Sequence, residues 1–293
     1  MREWDKRMNS SHLPYLILAF ASLAAILEVR AIASALILIA AATALAVSSI
    51  EWLSLLWIAF LFASMWLSEN GQLPRVWRGL ASIGFGILAV LLSQHLLPGF
   101  NNLIVFDRVQ FAQDSVPFTM YLNFDKPLVG LCVFLFFVQR KQAAWTPKKA
   151  WLTFGCWAFI TVLLMLLALS ANFVRFDPKW PKDGWLWAAN NFFFVCLAEE
   201  GLFRGYIQGG LQRLFPKNRI FAFLAIFSAS VLFGLAHFRG GVTYVLFSTI
   251  AGFIYGFTYW KTQRLEAAML VHFGLNVVHF VGFSYPALLI PNL

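Results

Sequence analysis

The chain has 293 residues, of which 60% are hydrophobic and 12% charged, and its net charge is +9. A soluble domain averages roughly 25% charged residues, so this chain, with 32 Phe and 12 Trp, lacks the polar surface to coat a water-soluble globule. The Lys and Arg residues fall mainly in short segments between apolar runs, as the positive-inside bias of membrane proteins requires, and no basic, aromatic-interleaved stripe is present; the lipid bilayer is the partner, and nucleic acid is set aside.

Spanning a bilayer takes about 20 apolar residues in a helix. On that rule the sequence predicts an all-α, polytopic transmembrane helix bundle of about eight to ten spans. In chain order they are 14–29, 31–50, 52–67, 78–97, 118–139, 150–171, 185–207, 220–238, 242–260 and 265–284. The first three are crowded and interrupted by Glu28, Arg30 and Glu51, which leaves their number and orientation open. Met1 to Pro14 carries charges of both signs, and no small-residue cleavage site follows the first apolar run. That run is expected to be a retained anchor rather than a removed signal.

Three regions follow from this pass: an N-terminal transmembrane extension (1–98), an interfacial loop (99–126) and a C-terminal core (127–293). The loop mixes Asp107, Arg108, Asp114, Asp125 and Lys126 with isolated apolar residues. A second loop, 172–184, holds two prolines and five charges and belongs outside the hydrocarbon. Basic residues cluster in three connections: Arg140, Lys141, Lys148 and Lys149; Arg213, Lys217 and Arg219; Lys261 and Arg264. With these spans all three face one side, assigned as cytoplasmic. Cys132, Cys156 and Cys196 each sit in an apolar run without CxxC spacing, as buried, chemically quiet thiols do.

Ionisable residues inside apolar helices cost about 2.5–3.5 kcal/mol each on insertion scales and usually mark function. They concentrate in three places within residues 150–285: Glu199-Glu200-Gly201-Leu202-Phe203-Arg204-Gly205, Phe233-Gly234-Leu235-Ala236-His237, and His272-Phe273-Gly274-Leu275-Asn276. Residues four apart share a helix face, so Glu200 and Arg204 are expected to pair, Phe233 to lie beside His237, and His272 and Asn276 to point to a common place. Glu199 lies about 100° around the helix from Glu200 and is left without that partner. Both Glu199 and His237 can be measured from the turn Phe215-Pro216-Lys217-Asn218, at roughly 22 and 26 Å along straight helices. An antiparallel pair would put them at similar depth. His272, roughly 12 Å into its span, joins them only if 201–219 projects beyond the bilayer. Glycines at 201, 205 and 209, and at 252 and 256, have the spacing of close membrane-helix packing. His95 and His279 are read as structural.

A buried carboxylate beside an imidazole can hold and deprotonate a water. A second imidazole and an amide can donate to the oxyanion formed when water attacks a carbonyl. Glu199 and His237 suit the first task, and His272 and Asn276 the second. Peptide-bond hydrolysis is the natural hypothesis, with Glu200–Arg204 fixing the rotation of the helix.

These residues carry a resemblance. Glu-Glu-x-x-x-Arg at 199–204, Phe-x-x-x-His at 233–237 and His-x-x-x-Asn at 272–276 resemble, in order, the motifs of the CAAX protease and bacteriocin-processing family of intramembrane endopeptidases, and Phe203 and Gly205 fit the same pattern. The resemblance, which covers about 150–285, implies that the core 127–293 is an intramembrane protease, a glutamate-dependent hydrolase without cofactor. Its catalytic residues would be Glu199, His237, His272 and Asn276, supported by Glu200, Arg204 and Phe233. The alternative it implies is a zinc site on Glu199, His237 and His272, although HExxH is absent. The implied partner is a peptide or protein at the membrane, and the implied location a bacterial inner membrane. Two rivals stand beside this: a catalytically silent immunity or scaffold protein of the same fold, and a small proton-linked transporter, whose inverted repeats are not found.

Overall fold

In the computed structural model, the described residues are 3–137, 144–214 and 218–289, with side chains described from Ser11 onward. Arg2, Arg140, Lys141 and the turn residues Phe215, Pro216 and Lys217 lie outside them, as do the side chains of Lys6 and Arg7. The described residues form a helical bundle with one small hairpin. Its helices are α1 (Glu3–Ile26), α2 (Arg30–Ala46), α3 (Trp52–Glu69), α4 (Arg75–Ser93), α5 (Asp125–Cys132), α6 (Pro147–Ser170), α7 (Gly184–Asn190), α8 (Leu197–Glu200), α9 (Gly209–Leu214), α10 (Arg219–Leu235), α11 (Gly241–Thr262) and α12 (Leu265–Gly282). Strands β1 (Leu103–Val109) and β2 (Phe118–Leu122) form the only sheet among the described residues.

Among the described residues, five helices are long and apolar enough to cross a membrane: 52–69, 75–93, 147–170, 238–262 and 265–282. Three shorter apolar helices, 11–26, 30–46 and 219–235, accompany them. Two expected spans differ. The span expected at 118–139 is described to Phe137; it begins as a strand and becomes helical only at Asp125, because Pro127, which has no N–H to donate, fits a first turn. Residues 185–207 are helical but change winding repeatedly: π-helical turns occupy Asn191–Cys196 and Gly201–Gln208 on either side of α8. The region expected to be a loop, 99–126, contains the hairpin. Two helix starts follow local capping rules: Thr146 caps α6 ahead of Pro147, and the Asn218 side chain accepts from the N–H of Ile220 and Phe221 to start α10.

The chain divides into two units interleaved in sequence. The first comprises residues 1–103, 121–140 and 193–205. There α1 pairs with α2 and α3 with α4, and α5 packs against α1, α3, α4 and α8. Its core holds Leu18, Leu61, Met65, Phe85, Leu128 and Leu131. The second comprises residues 104–120, 141–192 and 206–293, with α11 against α10, α6 and α12. Trp187 and Phe280 stack at 4.0 Å in an aromatic cluster with Phe106, Phe111, Phe118 and Tyr285. The outer faces of the helices are apolar, with Leu38, Trp52, Val76, Ile83, Trp151 and Leu166 exposed. Such a surface suits hydrocarbon, not water. The protein is an integral membrane protein.

Candidate functional site

The polar residues fall into two clusters, one in each unit. The first is built where α5 crosses α8. Gly130 and Gly201 meet backbone to backbone: a Cβ on Gly130 would lie 2.4 Å from the Leu197 carbonyl oxygen, and one on Gly201 would lie 2.8 Å from Gly130 Cα. Only glycine permits this approach, the small-residue packing expected for Gly201. One turn before Gly130 stands Lys126, and the crossing brings its ammonium to Glu199, Nζ to Oε1 at 2.6 Å. Both side chains are largely buried, 16% and 12% exposed. Glu199 is therefore ion-paired, where the sequence left it without a partner. Glu200 pairs with Arg204 as expected, Oε1 accepting from Nη1 at 3.2 Å, and both side chains are fully buried.

Lys126 is itself anchored. Its neighbour Asp125, 1% exposed, accepts from His95 Nδ1 at 2.8 Å, Asn102 Nδ2 at 3.2 Å and the Lys126 backbone N–H at 2.9 Å. Asn102 in turn accepts from the Phe124 N–H at 2.9 Å. His95 follows α4 at the position where glycine is preferred: its φ is 57°, its N–H bonds the Leu92 carbonyl, and the Leu96 N–H bonds that of Leu91. A histidine there spends about 1 kcal/mol on a left-handed backbone, and the Asp125 bond is what its side chain gains.

The second cluster is aromatic. His237 follows α10, and its Nδ1 lies 2.7 Å from the Phe233 carbonyl oxygen. A carbonyl can only accept, so Nδ1 carries the proton and Nε2 is the basic nitrogen of the neutral ring. The Phe233 ring stands between two imidazoles, 4.7 Å from His237 and 5.7 Å from His272. His272, 5% exposed, also stacks on Tyr255 at 4.7 Å and 18°. The structure thus brings His237 and His272 to one phenyl ring. Asn276, one turn beyond His272, donates from Nδ2 to Asn191 Oδ1 at 3.1 Å. His279 packs on Tyr285, and all three cysteines are free and buried.

Sequence reasoning missed Lys126, Asp125, Asn102, Tyr255 and Asn191. A signal existed for the first two: Asp-Lys-Pro is a helix-start pattern, which moves both out of a loop. Nothing local pointed to Asn191. The depth expected for Glu199 holds for an α-helix throughout 199–214, whereas 201–208 is π-helical and rises less per residue.

These features define an integral membrane protein whose C-terminal third carries paired acidic residues and an imidazole and an amide on helices, with a second imidazole, His237, in the turn after α10. Residues 179–278 match the family model described as Type II CAAX prenyl endopeptidase Rce1-like, and all three motifs lie within that segment. No curated protein and no solved structure matches the chain.

Proposed function

We propose that the protein is an intramembrane endopeptidase that hydrolyses a peptide bond of a membrane-associated or secreted protein. The observation that carries this reading is that all three motifs fall inside the segment matched to a family of endopeptidases. The aromatic cluster supports it, since one phenyl ring fixes both imidazoles. In the proposed reaction Glu199 takes a proton from water while His237 Nε2 accepts the water's other O–H. The water oxygen bonds to the carbonyl carbon, and His272 and Asn276 donate to the resulting oxyanion. The C–N bond then breaks, and the proton held by Glu199 passes to the departing nitrogen. Glu200–Arg204 fixes the helix that carries Glu199.

The reaction is proposed without a cofactor. A zinc ion on Glu199, His237 and His272 would compete with the Lys126 ammonium for the Glu199 carboxylate, and this pairing fits the metal-free reading better. The proposed partner is a peptide or protein substrate at the membrane, and the proposed location is a bacterial inner membrane. The test is comparative proteomics of membrane fractions from cells expressing the wild type or Glu199→Gln. An uncut substrate accumulating with the variant is expected, with activity lower by about 10²–10⁴-fold. Identical peptide profiles would sink the proposal and favour a non-catalytic role.

A further inference from the structure

We infer that Lys126 is a positioning residue for Glu199, held in place by the Asp125–His95–Asn102 cluster, and that the region before the family-matched segment thereby completes the reaction centre. The inference rests on the reading of Glu199 as the residue that activates water.

Three independent observations converge. First, Lys126 Nζ lies 2.6 Å from Glu199 Oε1, with both side chains largely buried. A charge-assisted bond of this length sets the carboxylate's rotation as well as its location. Second, the base of the lysine is fixed from three sides. Asp125 receives bonds from His95, from Asn102 and from the Lys126 backbone, so the first turn of α5 cannot rotate without breaking polar contacts to a buried carboxylate. Third, two features that cost stability serve this arrangement. The Gly130–Gly201 crossing uses glycine inside helices, and His95 occupies a left-handed backbone position. Each gives up about 1 kcal/mol of intrinsic preference, and both place α5 against Glu199.

A general base must be held in the productive geometry, and a misplacement of about 1 Å can cost on the order of 100-fold in rate. Glu199 sits between two π-helical stretches, whose winding alone does not dictate where the carboxylate points. Lys126 supplies that direction from 73 residues away in sequence.

The test uses the full-length protein in lipid nanodiscs, with two readouts. Infrared difference spectra of each protein against its Glu199→Gln counterpart isolate the carboxylate bands of Glu199 and need no substrate. Cleavage of a quenched, farnesylated peptide ending in a CAAX sequence gives kcat and KM. Lys126→Met, or Lys126→Gln if that variant does not fold, is expected to shift the Glu199 bands. It should also lower kcat on the order of 100-fold with KM within about threefold. Lys126→Arg is expected to restore the bands and most of kcat. Unchanged bands and kcat in folded Lys126→Met overturn the inference. So does a loss that Lys126→Arg, folded like the wild type, fails to recover. Cleavage that survives Glu199→Gln sinks the proposed function instead, and the infrared bands then still report whether the pair exists.

Discussion

Replacing Gly130 with alanine tests the crossing on which the acidic cluster is built. The new methyl would sit 2.4 Å from the Leu197 carbonyl oxygen, 2.7 Å from its carbon and 2.9 Å from the Ala198 nitrogen. All three are backbone atoms, so no side-chain rotation relieves the clash. Reaching ordinary contact at 3.4 Å requires α5 and α8 to part by about 1 Å, which forfeits up to half the dispersion energy between facing atoms. Overpacking of this kind costs about 1–3 kcal/mol, and the absence of a soft neighbour puts Gly130→Ala near 3. Alanine's helix preference returns about 1 kcal/mol, for a net loss of about 2 kcal/mol. Gly155→Ala in α6 is the matched control, since nothing lies within 4 Å of its Cβ; it should gain the same 1 kcal/mol. The difference between the two variants, about 3 kcal/mol, therefore isolates the clash. Denaturant titration of the purified protein in detergent, followed by tryptophan fluorescence, measures it. Unfolding free energies for the two variants within about 0.5 kcal/mol of each other would refute the crossing as described.

Two further outcomes are expected from the same assay. Breaking the fully buried Glu200–Arg204 pair by Glu200→Ala or Arg204→Met should cost about 3–5 kcal/mol each, because the surviving charge is stranded; the double variant should cost clearly less than their sum. His95→Gly should gain about 1 kcal/mol by removing left-handed strain and lose about 1.5–3 kcal/mol of charge-assisted bonding to buried Asp125. The net loss is then about 1 kcal/mol, and a variant more stable than the wild type would show that the His95–Asp125 bond contributes little.

Much of the fold was legible because bilayer physics is written locally. A run of about 20 apolar residues is visible without knowing its neighbours, and α3, α4, α6, α11 and α12 all fall on predicted spans. Partners four residues apart were equally visible: Glu200 found Arg204, and Phe233 lies beside His237. The failures are of two kinds. Residues 118–139 and 185–207 satisfied the hydropathy rule while containing a strand and π-helical winding, which hydropathy does not encode. Lys126 was assigned to a loop, and its link to Glu199 spans 73 residues and depends on two glycines meeting. Asn191, hidden in an aromatic run, gave no sign that it would bond Asn276 across 85 residues.

The left-handed residue after α4 has an evolutionary corollary. A position with φ of 57° ordinarily drifts to glycine or asparagine, which adopt it at least cost. In relatives that keep an acidic residue aligned with Asp125, histidine or another hydrogen-bond donor should persist at 95. Where the acid is lost, glycine should take over. Paired change at these two sites, 30 residues apart, would trace in descent which branches kept the clamp and which discarded it.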